Sequence, residues 1–237
     1  MQRDRDFAGF MGQTLDLVGR NIPVVFLYIV VIGGLNAFGL MAGLIDSTDT
    51  IAGAGMGFSV DASDSLTSAA FQLGVAILSI IAGYFVLSKL LESAGRLKAT
   101  DTRIWAYIGM SILSMIGIVL GLILIIVPGL ILLVRWSAAS GFLIGGRRGI
   151  TESLGASWEA TRGYSWSIFF AALVLFLGLI IIAGAFGAML AFTGIDLMIA
   201  LGSSIGEAAG NVLAFAFGIG VYTLVADDST ETADVFA

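Results

Sequence analysis

The chain of 237 residues contains no cysteine and no histidine. These two absences together remove disulfides, thiol chemistry, Cys/His metal centres and imidazole acid–base catalysis. Missing cysteine carries no information about compartment. Charge is scarce as well. Only 12% of the residues are charged, against about 25% in a soluble domain, so too little polar surface is left to face water.

Other absences narrow the chemistry further. No aspartate pair lies within an apolar span and no serine has a histidine, so both common intramembrane protease chemistries lack parts. The glycine-rich stretches lack the strand–turn–helix context that nucleotide sites need. The stretch Asp61 to Asp64, read as Asp-Ala-Ser-Asp, lacks the fixed glycine and terminal glutamate of a calcium loop and reads as a solvated loop. The expectation is therefore no catalytic residue, no cofactor, no metal and, with a net charge of −6, no nucleic-acid partner.

Apolar residues are what the chain has in abundance, at 58% with a mean hydropathy of +1.03. They fall into six spans, roughly 22–44, 67–88, 104–127, 129–146, 166–192 and 200–226. Each is about long enough to cross ~30 Å of hydrocarbon at ~1.5 Å per residue, the fourth only barely. Outer-membrane strands would alternate apolar and polar positions, and these runs do not. The expected fold class is an all-α polytopic membrane helical bundle of six transmembrane helices with cytoplasmic-side amphipathic helices. An amphipathic segment 1–21 precedes the transmembrane domain 22–226. An acidic tail 227–237 comes last, expected to be disordered and too short for a catalytic domain. The first span is not read as a signal peptide, being too long, led by acids and without a small-residue cleavage site.

The basic residues orient the spans. Arg3, Arg5 and Arg20 precede span one; Lys89, Arg96, Lys98 and Arg103 separate spans two and three; Arg147, Arg148 and Arg162 separate spans four and five. The opposite loops, 45–66 and 193–199, hold Asp46, Asp49, Asp61, Asp64 and Asp196 and no Lys or Arg. The positive-inside rule places both termini in the cytoplasm, as an even number of spans requires. This is the layout expected of a protein integral to a bacterial cytoplasmic (inner) membrane.

Two cytoplasmic segments have helical periodicity. In one, Phe7, Phe10, Met11, Leu17 and Val18 share a face; in the other, Leu154, Trp158 and Thr161 do. Thr151 is the expected cap of the second, Glu152 sits in its first turn, and Arg162-Gly163 suits its end. Both segments suit the headgroup plane, although plain cytoplasmic helix extensions are the alternative. They also align with each other, Gly12 to Asp16 on Gly155 to Glu159, which suggests an internal repeat of spans one–two and five–six around a central hairpin.

One charge interrupts the fourth span. Pro128-Gly129 is expected to break the helix into an outer hairpin, which puts Arg135 about 10 Å further in at helical rise. A charge there costs on the order of 2.5 kcal/mol or more at the membrane centre, and less where it can snorkel outward. Besides snorkelling, a partner is available in sequence: Glu207, with Asn211 one turn further along, at a comparable depth in span six. Gly117-xxx-Gly121, Gly141-xxx-Gly145 and Gly206-xxx-Gly210 allow close helix approach.

The stretch Pro128, Gly129, Arg135, Ser157, Trp158, Thr161, Arg162 and Gly163 resembles the YciC-like inner-membrane proteins and the membrane domain of glycerophosphoryl diester phosphodiesterases. In that group a Pro-Gly hairpin, an intramembrane arginine and a Ser-Trp-x-x-Thr-Arg-Gly segment recur in this order. The resemblance covers about 40 residues and the membrane part alone. It implies no catalysis, because in the fused enzymes the chemistry belongs to a separate soluble domain. The exit "SAASGFLIGGRRG" lacks the proline and acid expected there.

These observations leave three functional readings. The first is a non-enzymatic membrane protein that organises a complex or supports envelope lipid homeostasis, with membrane lipids, other membrane proteins or a second copy as partners. Arg147 and Arg148 are its candidate lipid-headgroup contacts. The second is a small transporter or channel with a polar site at Arg135, Glu207 and Asn211. The third is an acyl-lipid reaction using Glu152 or Glu159.

Overall fold

The computed structural model describes residues 5–45, 65–98, 102–124 and 126–226. Most of the acidic 45–66 loop and the whole 227–237 tail, both expected to be irregular, lie outside the described residues. Every regular element among those described is a helix, and the protein is an all-α polytopic membrane protein. The elements are α1 (Phe7–Arg20), α2 (Ile22–Met41), α3 (Leu66–Ser93), α4 (Ile104–Leu124), α5 (Ile126–Arg135), α6 (Ala139–Ile144), α7 (Ile150–Ala160), α8 (Ser165–Ala191) and α9 (Asp196–Val225). Among the described residues, six helical stretches are long and apolar enough to cross a membrane, the fourth made of α5 and α6 together.

The outer faces explain why so many apolar residues are needed. Ile180, Ile181 and Ile182 on α8, and Leu120 and Ile123 on α4, are exposed. A consecutive exposed isoleucine triplet is tolerable only where the solvent is itself apolar. Span six differs from the others. Its most apolar window is 61% buried within the protein, against 17% for spans three and five.

The chain divides into two compact units. The first comprises residues 1–20, 87–173 and 216–237. Its core gathers Phe10 and Leu17 of α1, Leu87, Leu90 and Leu91 of α3, Leu143, Ile168, and Ile219 with Val221. Within it α4 packs on α5, α6 and α7, and Phe142 meets the Tyr222 ring edge-on at 4.9 Å. The second comprises residues 21–86 and 174–215. Tyr28, Ile32 and Ala37 of α2 are buried there together with Ala208 and Val212 of α9, and Tyr28 meets Phe215 edge-on at 5.8 Å.

The hairpin between spans three and four needs correcting against the sequence expectation. α4 ends at Leu124 and α5 begins at Ile126, so Pro128-Gly129 lies within the first turn of α5 instead of forming the turn. A proline there lacks only an amide that has no intrahelical partner in any case. Gly129 serves close approach: a Cβ added at Gly121 would lie 3.0 Å from the Gly129 Cα. The small residues let the two helix backbones meet. The cap of α7 also differs, since Gly149 precedes the helix and its N–H donates to Glu152 Oε2 at 3.1 Å. Thr151 is the second residue of the helix.

Candidate functional site: an arginine between two helix ends

α5 stops at Arg135, and residues 136–138 form a turn before α6 resumes. A helix that ends leaves carbonyls with no intrahelical donor, and in a membrane those carbonyls need protein partners. α7 supplies them. Ser157 Oγ donates to the Arg135 carbonyl at 2.7 Å, and Thr161 Oγ1, which donates to the Ser157 carbonyl at 2.8 Å, lies 3.4 Å from the same oxygen. Both hydroxyl residues are fully buried.

The arginine side chain returns the favour at the end of α7. Arg135 Nη1 donates to the Trp158 carbonyl at 3.0 Å, and its guanidinium carbon lies 5.0 Å from the centre of the Trp158 ring. Two helix C-termini thus cap each other, backbone of one to side chain of the other. The cation beside the negative end of α7 is favourable, by about 0.3–1 kcal/mol at exposed sites. Arg135 is half-buried and Trp158 is 39% exposed, so the guanidinium sits at the edge of the packed interior.

Arg135 and Glu207, expected as a pair with Asn211 beside them, each have a hydrogen-bond partner within their own unit. Arg135 belongs to the first unit and takes Trp158; Glu207 belongs to the second and accepts a hydrogen bond from Asn36 Nδ2 at 3.3 Å. Asn211, one turn on, is half-buried, and its side chain makes no hydrogen bond among the described residues.

The residues of the sequence motif are brought together. Ser157, Trp158 and Thr161 all meet Arg135, and Pro128 and Gly129 begin the helix that Arg135 ends. Arg162 is exposed, and Gly163 has φ +92, the left-handed turn that ends α7 and that glycine adopts without strain. Arg148 lies with its guanidinium 5.2 Å from the Phe142 ring, and Arg147 carries φ +56 in the loop between α6 and α7.

In the sequence Arg103 reads as a topology marker and nothing more. In the fold its Nη1 donates to the carbonyls of Leu143 and Arg148, each at 2.9 Å, which ties the end of α6 to the Arg147–Arg148 loop. The signal that could have shown this is the short α6 with two glycines after it, Gly145 and Gly146, an ending whose free carbonyls need a donor. Three of the four tryptophans are exposed: Trp105 (83%), Trp158 and Trp166 (74%). Among the described residues no group of three or more carboxylates could hold a metal ion.

Compared with models of known families, with curated proteins and with solved structures, the chain matches none.

Proposed function

We propose that this is a non-enzymatic integral protein of a bacterial cytoplasmic membrane, with both termini cytoplasmic. It binds anionic lipid headgroups and works in a membrane complex or in envelope lipid homeostasis. The observation that carries this reading is the company kept by the exposed tryptophans. Trp105 is two residues from Arg103, and Trp158 and Trp166 each lie four residues from Arg162. Tryptophan and arginine at span ends are the interfacial anchors of membrane proteins, and basic residues there attract anionic lipid by about 1 kcal/mol each. All eleven Lys and Arg residues fall in the first unit, together with every tryptophan. The similarity to YciC-like membrane proteins supports the same reading.

Native mass spectrometry of the protein released from nanodiscs of mixed lipid tests it. Phosphatidylglycerol or cardiolipin should be retained over phosphatidylcholine. Replacing Arg147 and Arg148 together by alanine should weaken that retention by about 30-fold, from ~2 kcal/mol for two charges. Equal retention of anionic and zwitterionic lipid by the unmodified protein would refute lipid selection. Turnover of any added acyl lipid would refute the non-enzymatic assignment.

A further inference from the structure

We propose that Glu207, with Asn36 and Ser204, forms a proton-binding site within the membrane-spanning part of the second unit. This goes beyond lipid binding and stands apart from it, since it uses none of the same residues.

Charge distribution supplies the first argument. Residues 21–86 and 174–215 contain no Lys, Arg or His, so the whole unit has no cationic side chain. Its acids are Asp46, Asp49, Asp61, Asp64, Asp196 and Glu207. Asp196 begins α9 and the four others lie outside the described residues, so among the described residues Glu207 is the carboxylate of this unit set within a span. A carboxylate in an apolar unit without a cation is costly as an anion. Taking up a proton removes that cost.

The second argument is the local build. α2 contains a π-helical turn, Ile29–Gly33. Such turns add one residue to the helix and are frequent at functional sites. One added residue rotates the remainder of the helix by about 100°, which turns the buried Asn36 toward α9. Gly33 permits the approach: a Cβ there would lie 3.3 Å from the Ser204 carbonyl oxygen. Asn36 suits both states of its neighbour. Its Nδ2 donates to a carboxyl oxygen at 3.3 Å, a bond that the carboxylate accepts and that the carbonyl oxygen of the protonated acid also accepts, leaving the acid's single O–H free for another acceptor.

Ser204 supplies an independent observation. It lies three residues before Glu207, on the same side of α9, and is fully buried. Its Oγ is the one buried side-chain polar atom without a hydrogen-bond partner among the described residues. A buried hydroxyl left unpaired costs about 1–3 kcal/mol, and such a group calls for an explanation. A second state of Glu207, protonated and able to donate, would supply one. The other titratable groups among the described residues of this unit are Tyr28 on α2, Tyr84 on α3 and Asp196 at the start of α9, with none on residues 174–191 of α8 and only Tyr222 further along α9, in the first unit. None of them offers a positive charge that would hold Glu207 ionised.

Labelling with a hydrophobic carbodiimide tests the site, because the reagent reacts with protonated carboxyl groups in apolar surroundings. The full chain in nanodiscs is labelled across a pH series and the modified residues are mapped by mass spectrometry. Glu207 should be modified with a single-site pH profile, and Glu207→Gln should lose the label. Asn36→Leu and Ser204→Ala should each displace the Glu207 profile by about one pH unit while leaving the helical circular dichroism unchanged. The unmodified protein alone can sink the proposal, so folding failure of a variant does not protect it. Absence of label at Glu207 at every pH would overturn it. So would a profile whose midpoint moves with sodium concentration, since the resident cation would then be an alkali ion.

Discussion

Replacing Arg135 by methionine is the most informative perturbation of the helix-end exchange. Methionine keeps an unbranched apolar stem and removes the guanidinium. The hydrogen bond from Nη1 to the Trp158 carbonyl, 3.0 Å long, involves a charged donor and is of the class that contributes about 1.5–3 kcal/mol. The cation–π contact at 5.0 Å adds about 0.5–1 kcal/mol where exposed and ~2 kcal/mol where desolvated. Opposing both is the cost of holding a charge in hydrocarbon, about 2.5–3.5 kcal/mol at the membrane centre and much less near an interface. Because Arg135 is half-buried beside an exposed tryptophan, the interfacial end of that range applies. The expected net loss for Arg135→Met is roughly 2–4 kcal/mol by the same ranges.

Trp158→Leu leaves the accepting carbonyl in place and removes only the ring, so it should cost about 1 kcal/mol from the cation–π part. The double variant then isolates the pair, with an expected coupling of about 0.5–2 kcal/mol. The assay is reversible unfolding in mixed micelles of increasing dodecyl sulfate, monitored as loss of helical circular dichroism. Arg135→Lys should recover part of the loss, since an ammonium keeps the charge without the planar fork. A neutral or stabilising Arg135→Met, or additive single variants, would refute the mutual cap.

Neighbouring features carry expectations of their own. Gly129→Ala should destabilise the α4–α5 hairpin by about 1–3 kcal/mol through overpacking, because the new Cβ would lie 2.7 Å from the Leu122 backbone nitrogen; faster proteolysis of the purified protein would show it. Ser157→Ala should cost about 1–3 kcal/mol by stranding the Arg135 carbonyl, seen as a lower micellar unfolding midpoint. Glu152→Ala removes the acceptor for the Gly149 N–H and should cost about 0.5–2 kcal/mol, with hydrogen exchange rising first at the start of α7. Arg147→Gly should leave stability unchanged or raise it by up to about 1–3 kcal/mol, because φ +56 is strained for arginine and free for glycine. A lower melting temperature in that variant would contradict the strain.

Local patterns were legible without coordinates wherever one solvent dictates them. The six spans match because hydrocarbon admits only helices whose backbone bonds close internally. The two amphipathic segments did form α1 and α7, and Arg162-Gly163 does close α7 with glycine at positive φ. Ser157 was visible as a member of a motif, yet its role was not, because its acceptor, the Arg135 carbonyl, lies 22 residues away in sequence. The partners of Arg135 and Glu207 were not legible either, because depth along a span does not tell which side chain or carbonyl a residue faces. An apolar run of helical length looks continuous in sequence, but residues 136–138 leave the helix for reasons of packing.

Composition and charge placement alone thus determined the surroundings of this protein, its helical class and its number of spans, since transfer of apolar groups from water is additive along a chain. Partnership was decided only in three dimensions. Whether Arg135 meets a carboxylate or a carbonyl, and whether Glu207 meets a cation or an amide, depends on which helix faces end up together. That depends in turn on a π turn in α2 and an interruption after α5. Each of these local departures re-aims every side chain beyond it, and hydropathy has no term for rotation.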